Sequence, residues 1–483
     1  MTPGLVFSII SLYFILLLVI ARVTSKKATT EVFFTAKRQS PWFIVAFGMI
    51  GASLSGITFI SVPGEVGNSN FEYFQMVLGY LLGYLVIGGV LMPLYYRLNL
   101  ISIYTYLEGR FGFWSYKSGA FFFLLSRTIG ASFRLFLVAG VLQMAIFDEW
   151  GIPFWITVLF TVLLIWVYTF KGGIKTIVWT DTLQTFFMLT AVAVSIIIIM
   201  KSLNIGILDL PKAISQSEMS NVFVWDWKPG RNFFKQFFAG AFITIVMTGL
   251  DQDMMQKNLT CKNIKDAQKN MFWFSVVLVV ANLMFLSLGA LLYIYSAENG
   301  IAIPEKSDAL FPFLAINHFS AFAGILFILG ITAAAYSSAD SALTSLTTSF
   351  CIDFLKFKDQ EESYKKRTRI KVHVAFSLLI FCVIMIFSVI NDESVITSLF
   401  KAAGYTYGPL LGLFAFGMFT TRGIKDKWTP LICLSSPLLS YIINLNSEAW
   451  LGGYKFGFEI LILNGLLTFI GLWLISVKKN QLT

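Results

Sequence analysis

Apolar segments about as long as a membrane is thick recur from one end of this 483-residue chain to the other. A helix needs about twenty apolar residues to cross the hydrocarbon core of a bilayer. About thirteen such segments can be placed: 4–22, 42–64, 73–96, 118–147, 153–170, 177–200, 232–251, 271–296, 319–353, 373–390, 396–420, 428–445 and 456–476. The pattern predicts an all-α integral membrane protein of about thirteen transmembrane helices, with residues 1–483 forming one membrane domain.

The composition agrees with a chain that lipid surrounds. Hydrophobic residues make up 57% of it and charged residues 13%, whereas charged residues make up about a quarter of a typical soluble domain. The four cysteines lie far apart and indicate neither a disulfide framework nor a zinc site. The first segment has no basic residue before its apolar core and no cleavage-site pattern, so we expect a retained helix rather than a signal peptide.

Most of the 36 lysine and arginine residues, Lys257 among them, fall in alternate loops on one side of the predicted membrane. Because basic loops of this kind stay in the cytoplasm, the bias predicts an inner-membrane protein with its N-terminus outside the cell and its C-terminus in the cytoplasm. The net charge of +10 then faces anionic lipid. We therefore expect membrane lipid as a partner and no nucleic acid.

The second segment, AFGMIGASLSGITFISVPGEVG, contains several glycines and a proline. This composition predicts a break near the middle of the helix, and two explanations stay open. Freed backbone carbonyls at membrane depth can line a cavity and bind a cation. Alternatively, the glycines allow a helix to pack closely on its neighbours.

The ninth segment contains GITAAAYSSADSALTSLTTSF. Residues at three- and four-residue steps share one face of a helix. Those on one face here are Ala334, Ser337, Ser338, Ser341 and Ser345, joined by Asp340. Hydroxyl and carboxylate oxygens suit a hard cation. Ordinary serine packing, with back-bonding to the i−4 carbonyl, explains the serines but not Asp340, because an ionisable residue inside a span is costly.

A second carboxylate, Asp181, lies near the cytoplasmic end of the sixth segment. From there it can reach a cation that is bound to the inner half of the ninth segment. The alternative is that Asp181 pairs with the nearby Lys175 or extends toward the membrane interface.

Arg127 and Arg134 are seven residues apart in the fourth segment and so share one face of its helix. A buried guanidinium needs a carboxylate partner. Either both arginines pair with internal acids such as Glu72 or Asp251, or one of them is left to bind an anionic substrate in a bidentate manner. Lys401, in the outer part of the eleventh segment, is more simply a vestibule or interfacial lysine than a ligand.

Five stretches in one order resemble the sodium:solute symporter family, whose members share the leucine-transporter fold with one additional N-terminal helix. They are GASLSGITF at 51–59, GGIKTIVWTDTLQ at 172–184, TGLDQDMMQKN at 248–258, AAAYSSADSALTS at 333–345 and GPLLGLFAFG at 408–417. The resemblance covers nearly the whole chain and implies a leucine-transporter-like 5+5 inverted repeat with broken helices. Residues 42–200 would form the first repeat and 232–420 the second, inverted one, with one extra N-terminal and two extra C-terminal helices.

The resemblance also implies which residues bind sodium. A first sodium ion takes the carbonyl oxygens of Gly51, Leu54 and Ala334 and the hydroxyls of Ser337 and Ser338. Bacterial sialic acid transporters of the family have a further sodium site, and its matching positions here are Asp181, Ser337, Asp340 and Ser341. Asp340 stands where those transporters have a serine, so it either strengthens this second site or binds a proton instead.

For the substrate, the matching positions are Ser55, Thr58, Phe59, Gln75 and Arg134, the last as a carboxylate-binding arginine. The acid- and amide-rich helix of the sodium–galactose branch is absent from 51–59. We therefore expect sodium-coupled symport of a small organic solute into the cell by alternating access. A carboxylate such as sialic acid is favoured over a neutral sugar such as glucose or galactose, and a transport-like membrane sensor is a lesser alternative. An enzyme is not expected, because His318 and His373, its two histidines, lie on opposite sides of the predicted membrane.

Overall fold

The computed structural model describes residues 2–24, 38–100, 102–169, 173–355, 357 and 360–478, without the side chains of residues 21, 23, 24, 167–169, 173–176 and 362. The helices over these ranges are α1 (Pro3–Thr24), α2 (Trp42–Ser53), α3 (Gly56–Ser69), α4 (Tyr73–Arg97), α5 (Thr105–Arg110), α6 (Phe113–Phe147), α7 (Phe154–Thr169), α8 (Gly173–Ser202), α9 (Leu210–Ser215), α10 (Phe233–Gly249), α11 (Gln252–Asn258), α12 (Ile264–Glu298), α13 (Leu310–Asn317), α14 (Ala321–Phe354), α15 (Glu362–Ile390), α16 (Val395–Thr406), α17 (Gly408–Phe419), α18 (Thr429–Leu445), α19 (Ser447–Trp450) and α20 (Ile460–Leu474). Two short strands, β1 (Gly423–Ile424) and β2 (Ser476–Val477), pair antiparallel. Single 3-10 turns cover Glu218–Ser220, Ser307–Ala309 and Asp426–Trp428.

Eight helices within the described ranges are long and apolar enough to cross a membrane, and the bent pairs α2–α3 and α10–α11 raise that number to ten. Three shorter apolar helices, in α7, α17 and α20, account for the remaining predicted segments. Each predicted segment thus coincides with one helix or with two consecutive helices, and the all-α membrane fold is confirmed. The predicted count of thirteen holds if the three shorter helices also cross.

The first bent pair is the predicted break in the second segment. Helix α2 ends at Ser53, α3 begins at Gly56, and the two are bent by 54°. Between them Leu54 (φ −78°, ψ 73°) and Ser55 (φ −74°, ψ 178°) leave the helical conformation. The carbonyls in the last turn of a helix have no partner within it. The break therefore presents backbone oxygens of 51–54 inside the protein.

Close packing, the other explanation for these glycines, also holds. Helix α2 packs against α8. A Cβ atom added to Gly51 would come within 2.2 Å of Thr185 Oγ1, and one added to Gly48 within 3.1 Å of the Val178 carbonyl oxygen. Glycine is thus needed before the break because α8 approaches α2 so closely.

The second bent pair, α10–α11, was not predicted. Its two helices meet at 69°, and the Asp251 carboxylate caps α11 by accepting hydrogen bonds from the amides of Asp253 (2.9 Å) and Met254 (3.4 Å). A glycine that ends one helix and an aspartate that starts the next, as in Gly249–Leu250–Asp251, are a recognisable sequence signal. Breaks in the second and seventh segments are what an inverted repeat would produce, although the repeat boundaries 42–200 and 232–420 stay a prediction.

Helix α14 lies at the centre of the fold. It contacts α2 and α3 of the first bent pair, α11 of the second, and the long helices α6 and α8. Every residue from 330 to 349 is buried. The polar face that the sequence shows on this helix is therefore turned toward protein on all sides and away from lipid, as intramembrane polar groups require.

Candidate functional site

The residues predicted to bind the first sodium ion lie where α2, α8 and α14 meet. A Cβ atom added to Gly51 of α2 would be 3.2 Å from the carbonyl oxygen of Asp181 on α8. The Ser337 hydroxyl of α14 donates a hydrogen bond to Asp181 Oδ1 at 2.7 Å. Leu54 lies in the break itself. Three helices thus bring these predicted oxygen ligands into one buried region.

Ser338 and Ala334 are adjacent on the buried face of α14. The Ser338 hydroxyl donates to the carbonyl oxygens of Ala334 at 2.9 Å and Ala335 at 3.2 Å. This is the back-bonding that serine makes in ordinary helix packing. A hydroxyl that donates its one proton still has lone pairs on its oxygen. The Ser338 hydroxyl can therefore make this hydrogen bond and also bind a cation.

Asp181 has a partner that was not predicted. Lys257 Nζ lies 2.8 Å from Asp181 Oδ2, and the side chains are 1% and 0% exposed respectively. The positive-inside count assigns Lys257 to a cytoplasmic loop, and that assignment is wrong, because Lys257 lies in α11 inside the protein. The side chain of Lys175, the alternative partner, is outside the described residues.

The other two residues of the predicted second sodium site are also buried in α14. The Ser341 amide donates to Asp340 Oδ1 at 2.5 Å. Asp340 also lies within electrostatic range of the Lys257 ammonium. Asp181 and Asp340, the two carboxylates of the predicted second site, thus both lie near the ammonium group of Lys257.

The two arginines of α6 have different surroundings. Arg127 forms ion pairs with Asp253 and, at 4.0 Å, with Asp251, and Asp251 also accepts a hydrogen bond from the Tyr407 hydroxyl at 2.8 Å. Arg134 is buried as well, but it has no ion pair within the described part of the chain, and its Nε and Nη1 atoms have no hydrogen-bond partner there.

Glu72, the second acid considered for the arginines, pairs with Arg231 at 3.2 Å instead. Arg231 lies in the segment between α8 and α10. Of the two sequence interpretations, the structure thus supports the one in which a single arginine lacks an internal carboxylate, and that arginine is Arg134.

Arg134 lines a cavity of about 80 Å³ beside the break between α2 and α3. Ser55 and Thr58, two of the predicted substrate residues, line it too. Polar and aromatic residues from other helices complete the polar part of the wall: Tyr73, Tyr80, Tyr84, Arg127, Thr244, Thr248 and Asn282. This cavity holds a positive charge, several hydroxyls and aromatic rings, which suits a small anion with an apolar or hydroxylated body.

Phe59 and Gln75, the other predicted substrate residues, do not line this cavity. Phe59 packs among Phe285, Phe311 and Phe327, with ring centroids 5.4–6.0 Å apart. The Gln75 side chain accepts a hydrogen bond from the Val224 amide at 3.1 Å and donates one to the Arg231 carbonyl oxygen at 3.2 Å, both in the segment between α8 and α10. Phe59 thus belongs to an aromatic cluster, and Gln75 holds this segment against α4. Lys401 is an exposed partner of Glu393 at 2.5 Å.

Two broken spans around a buried oxygen-rich centre, with a small polar cavity beside it, are the architecture of a secondary active transporter. The sequence model of the sodium:solute symporter family matches residues 33–425, and the chain belongs to that family. It is therefore a multi-pass membrane protein that couples solute movement to sodium, and not an enzyme.

Similar proteins have been described individually. The sodium/sialic acid symporter NanT of Aliivibrio fischeri is 25% identical over 446 residues, which cover 88% of this chain and 83% of that protein. The sodium/sialic acid symporter SiaT of Proteus mirabilis is 24% identical over 417 residues, 84% of this chain and 83% of that one. A solved structure of a Na+-coupled sialic acid symporter in a substrate-bound, outward-open state superposes with a TM-score of 0.82 at 19% identity, covering 98% of this chain and 99% of that chain.

Proposed function

We propose that this symporter carries a small organic carboxylate into the cell, with sialic acid as the first candidate. The observation that supports this most directly is Arg134, a buried arginine with unpartnered nitrogens in the wall of a cavity. Burying an unpaired charge is costly. A carboxylate substrate would relieve that cost by accepting two parallel hydrogen bonds from the guanidinium.

A neutral sugar fits this site less well. Its hydroxyls can accept hydrogen bonds from Arg134 but bring no opposite charge, so the guanidinium would stay uncompensated. The similarity to sialic acid symporters supports the same choice. We therefore rank glucose-like and galactose-like substrates below carboxylates.

The size of the cavity makes a smaller organic acid the second candidate. Its volume of about 80 Å³ is below the range of about 300–1,000 Å³ typical for small-molecule sites. A sugar acid the size of sialic acid would need the cavity to widen as the outer side opens. A short monocarboxylate would need less widening.

Sodium would act on the substrate site through the break. The proposed sodium ligands Gly51 and Leu54 come directly before Ser55, which begins the wall of the cavity. A sodium ion held between these carbonyls and Ser338 of α14 would fix the break and so orient Ser55 and Thr58. Coupling is then a difference in ligand affinity between outward-open and inward-open states. Each sodium ion that moves into a negative interior gains about 2.3 kcal/mol per 100 mV, and an anionic substrate that moves with it costs the same amount per charge.

The placement in the inner membrane, with the N-terminus outside and the C-terminus in the cytoplasm, is part of the same proposal. The distribution of basic residues supports it. Large apolar side chains on the outside of the helices, such as Leu85, Val389 and Leu474, are 71–84% exposed and are suited to contact with lipid.

Uptake into proteoliposomes tests the proposal. An inward sodium gradient should drive accumulation of labelled sialic acid or a short carboxylate, and a potassium gradient should not. At low substrate concentration, Arg134→Gln should reduce this uptake about tenfold to a hundredfold, whereas Lys401→Gln, at an exposed lysine, should leave it unchanged. Glucose uptake that survives Arg134→Gln would refute the carboxylate assignment. Binding without flux would favour the sensor alternative.

A further inference from the structure

The second sodium site predicted from the sequence contains an ammonium group in the structure. We propose that Lys257 takes the place of a second sodium ion as a permanent part of the protein, so that this symporter binds one sodium ion in each transport cycle. The inference rests on the proposed function, because it concerns the sodium coupling of the same site.

Hydrogen-bond donors surround the Asp181 carboxylate. Oδ2 accepts from Lys257 Nζ at 2.8 Å, and Oδ1 accepts from the Ser337 hydroxyl at 2.7 Å. With its amide oriented to satisfy both neighbours, Gln184 also donates to Oδ1 at 3.2 Å. A metal ligand is surrounded by other oxygen acceptors. Asp181 is instead surrounded by donors, one of them charged.

The charge of Lys257 also opposes the binding of a second sodium ion. Lys257 and Asp181 are completely buried, and the ammonium is also within electrostatic range of Asp253 and Asp340. It thus supplies to this cluster the positive charge that sodium would supply. At an effective dielectric constant of about 20, two like unit charges about 4 Å apart repel enough to weaken binding about a thousandfold. A second sodium ion beside Lys257 is therefore strongly disfavoured.

The position of Lys257 in the fold lets it link the helices of the site. It lies in α11, the inner half of the second bent pair, whereas Asp181 lies in α8 and Ser337 in α14. The pair joins α11 to α8, and the Ser337 hydrogen bond to Asp181 joins α8 to α14, the two helices that a second sodium ion would join. Because the lysine is covalently attached, this link needs no ion from solution and does not depend on sodium concentration.

Counting bound sodium ions tests the inference. Equilibrium binding of radioactive sodium to the purified full-length protein should give one ion per chain. Lys257→Met should expose the Asp181, Ser337, Asp340 and Ser341 oxygens and raise the count to two. Lys257→Arg keeps a cation there and should leave the count at one. Lys201→Met, which removes an exposed lysine at the C-terminal end of α8, is the matched control and should also bind one.

Two ions bound to the unmodified protein, or one ion bound to folded Lys257→Met, would overturn the inference while leaving sodium symport intact. No bound sodium at all would instead refute the sodium coupling on which it rests. Lys257→Met can fail to fold because Asp181 is left unpaired. In that case the double variant Asp181→Asn/Lys257→Met tests whether Asp181 binds sodium. It removes both charges and should bind one ion with an affinity within about threefold of the unmodified protein. A further lost ion or a tenfold weaker affinity would show that Asp181 binds sodium.

Discussion

Arg127 and Arg134 lie on the same face of one helix, and both are buried, yet the regions around them differ. Around Arg127, two aspartates balance the charge, and a tyrosine hydroxyl donates a hydrogen bond to one of them. Around Arg134, a cavity takes the place of such partners. A buried charge therefore does not by itself identify a binding site. A charge in an ion pair holds helices together, whereas an unpaired charge in the wall of a cavity can bind a ligand.

The largest expected effect tests the paired region. Arg127→Met leaves Asp253 and Asp251 without their cation, and losing one partner of a buried ion pair costs about 3–5 kcal/mol. We expect a loss of that size in the free energy of unfolding, or failure to purify as a monodisperse protein. Thermal unfolding in detergent, followed by circular dichroism, measures it. A stability unchanged from the parent protein would contradict the structural role of this pair.

The next effect tests the unpaired region. Arg134→Gln removes a charge that has no internal partner, so stability should stay the same or rise. Substrate affinity should fall about tenfold to a hundredfold, because hydrogen bonds to a charged group contribute about 1.5–3 kcal/mol. Isothermal titration with the carboxylate substrate in sodium buffer measures this loss. Arg134→Lys keeps the charge without the bidentate geometry and should fall between the two. If Arg134→Gln destabilises the protein as much as Arg127→Met does, the contrast between the regions fails.

A smaller effect extends the comparison to the cation ligands of α14. Ser338→Ala removes one oxygen from the proposed first sodium site and should weaken sodium affinity about tenfold, the equivalent of one hydrogen bond of about 1.4 kcal/mol. The sodium concentration that gives half-maximal uptake reports the change. Lys201→Ala, at the exposed C-terminal end of α8, is the control. Equal shifts in the two variants would remove Ser338 from the site.

The smallest effect lies again in the paired region. Tyr407→Phe deletes one hydrogen bond to Asp251, whose carboxylate keeps the Arg127 charge and its helix-capping bonds. We expect a loss of about 0.5–1.5 kcal/mol in the free energy of unfolding and an unchanged substrate affinity. A changed affinity with no loss of stability would move Tyr407 from the paired region to the substrate site.

Local patterns in the sequence predict much of this fold. Segment length and hydropathy place the helices, because a lipid-facing helix must be apolar over its whole length. Glycine content predicts the break before Ser55, and the three- and four-residue spacing of the serines predicts the buried face of α14. Each of these signals lies within one element and needs no knowledge of its neighbours.

The pairing of charges could not be predicted in this way. Asp181 and Lys257 are separated by 76 residues, and Arg127 and Asp253 by 126, so only the packing of α6, α8 and α11 brings them together. Counting basic residues in loops also assigns Lys257 to the cytoplasm, because a lysine near a helix end usually lies there. The second break, at Gly249–Leu250–Asp251, did have a local signal, since an aspartate that follows a glycine can cap a new helix.

The central claim is that sodium and a carboxylate bind together, with Arg134 as the receptor of the carboxylate. Thermal stabilisation of the purified protein tests it most directly, because a ligand that binds only the folded state raises the unfolding temperature by mass action. Sodium and potassium would each be combined with sialic acid, a short carboxylate or glucose. We expect a carboxylate to stabilise only in sodium, and to lose that effect in Arg134→Gln. Stabilisation by glucose alone, or by carboxylates equally in potassium, would contradict the account.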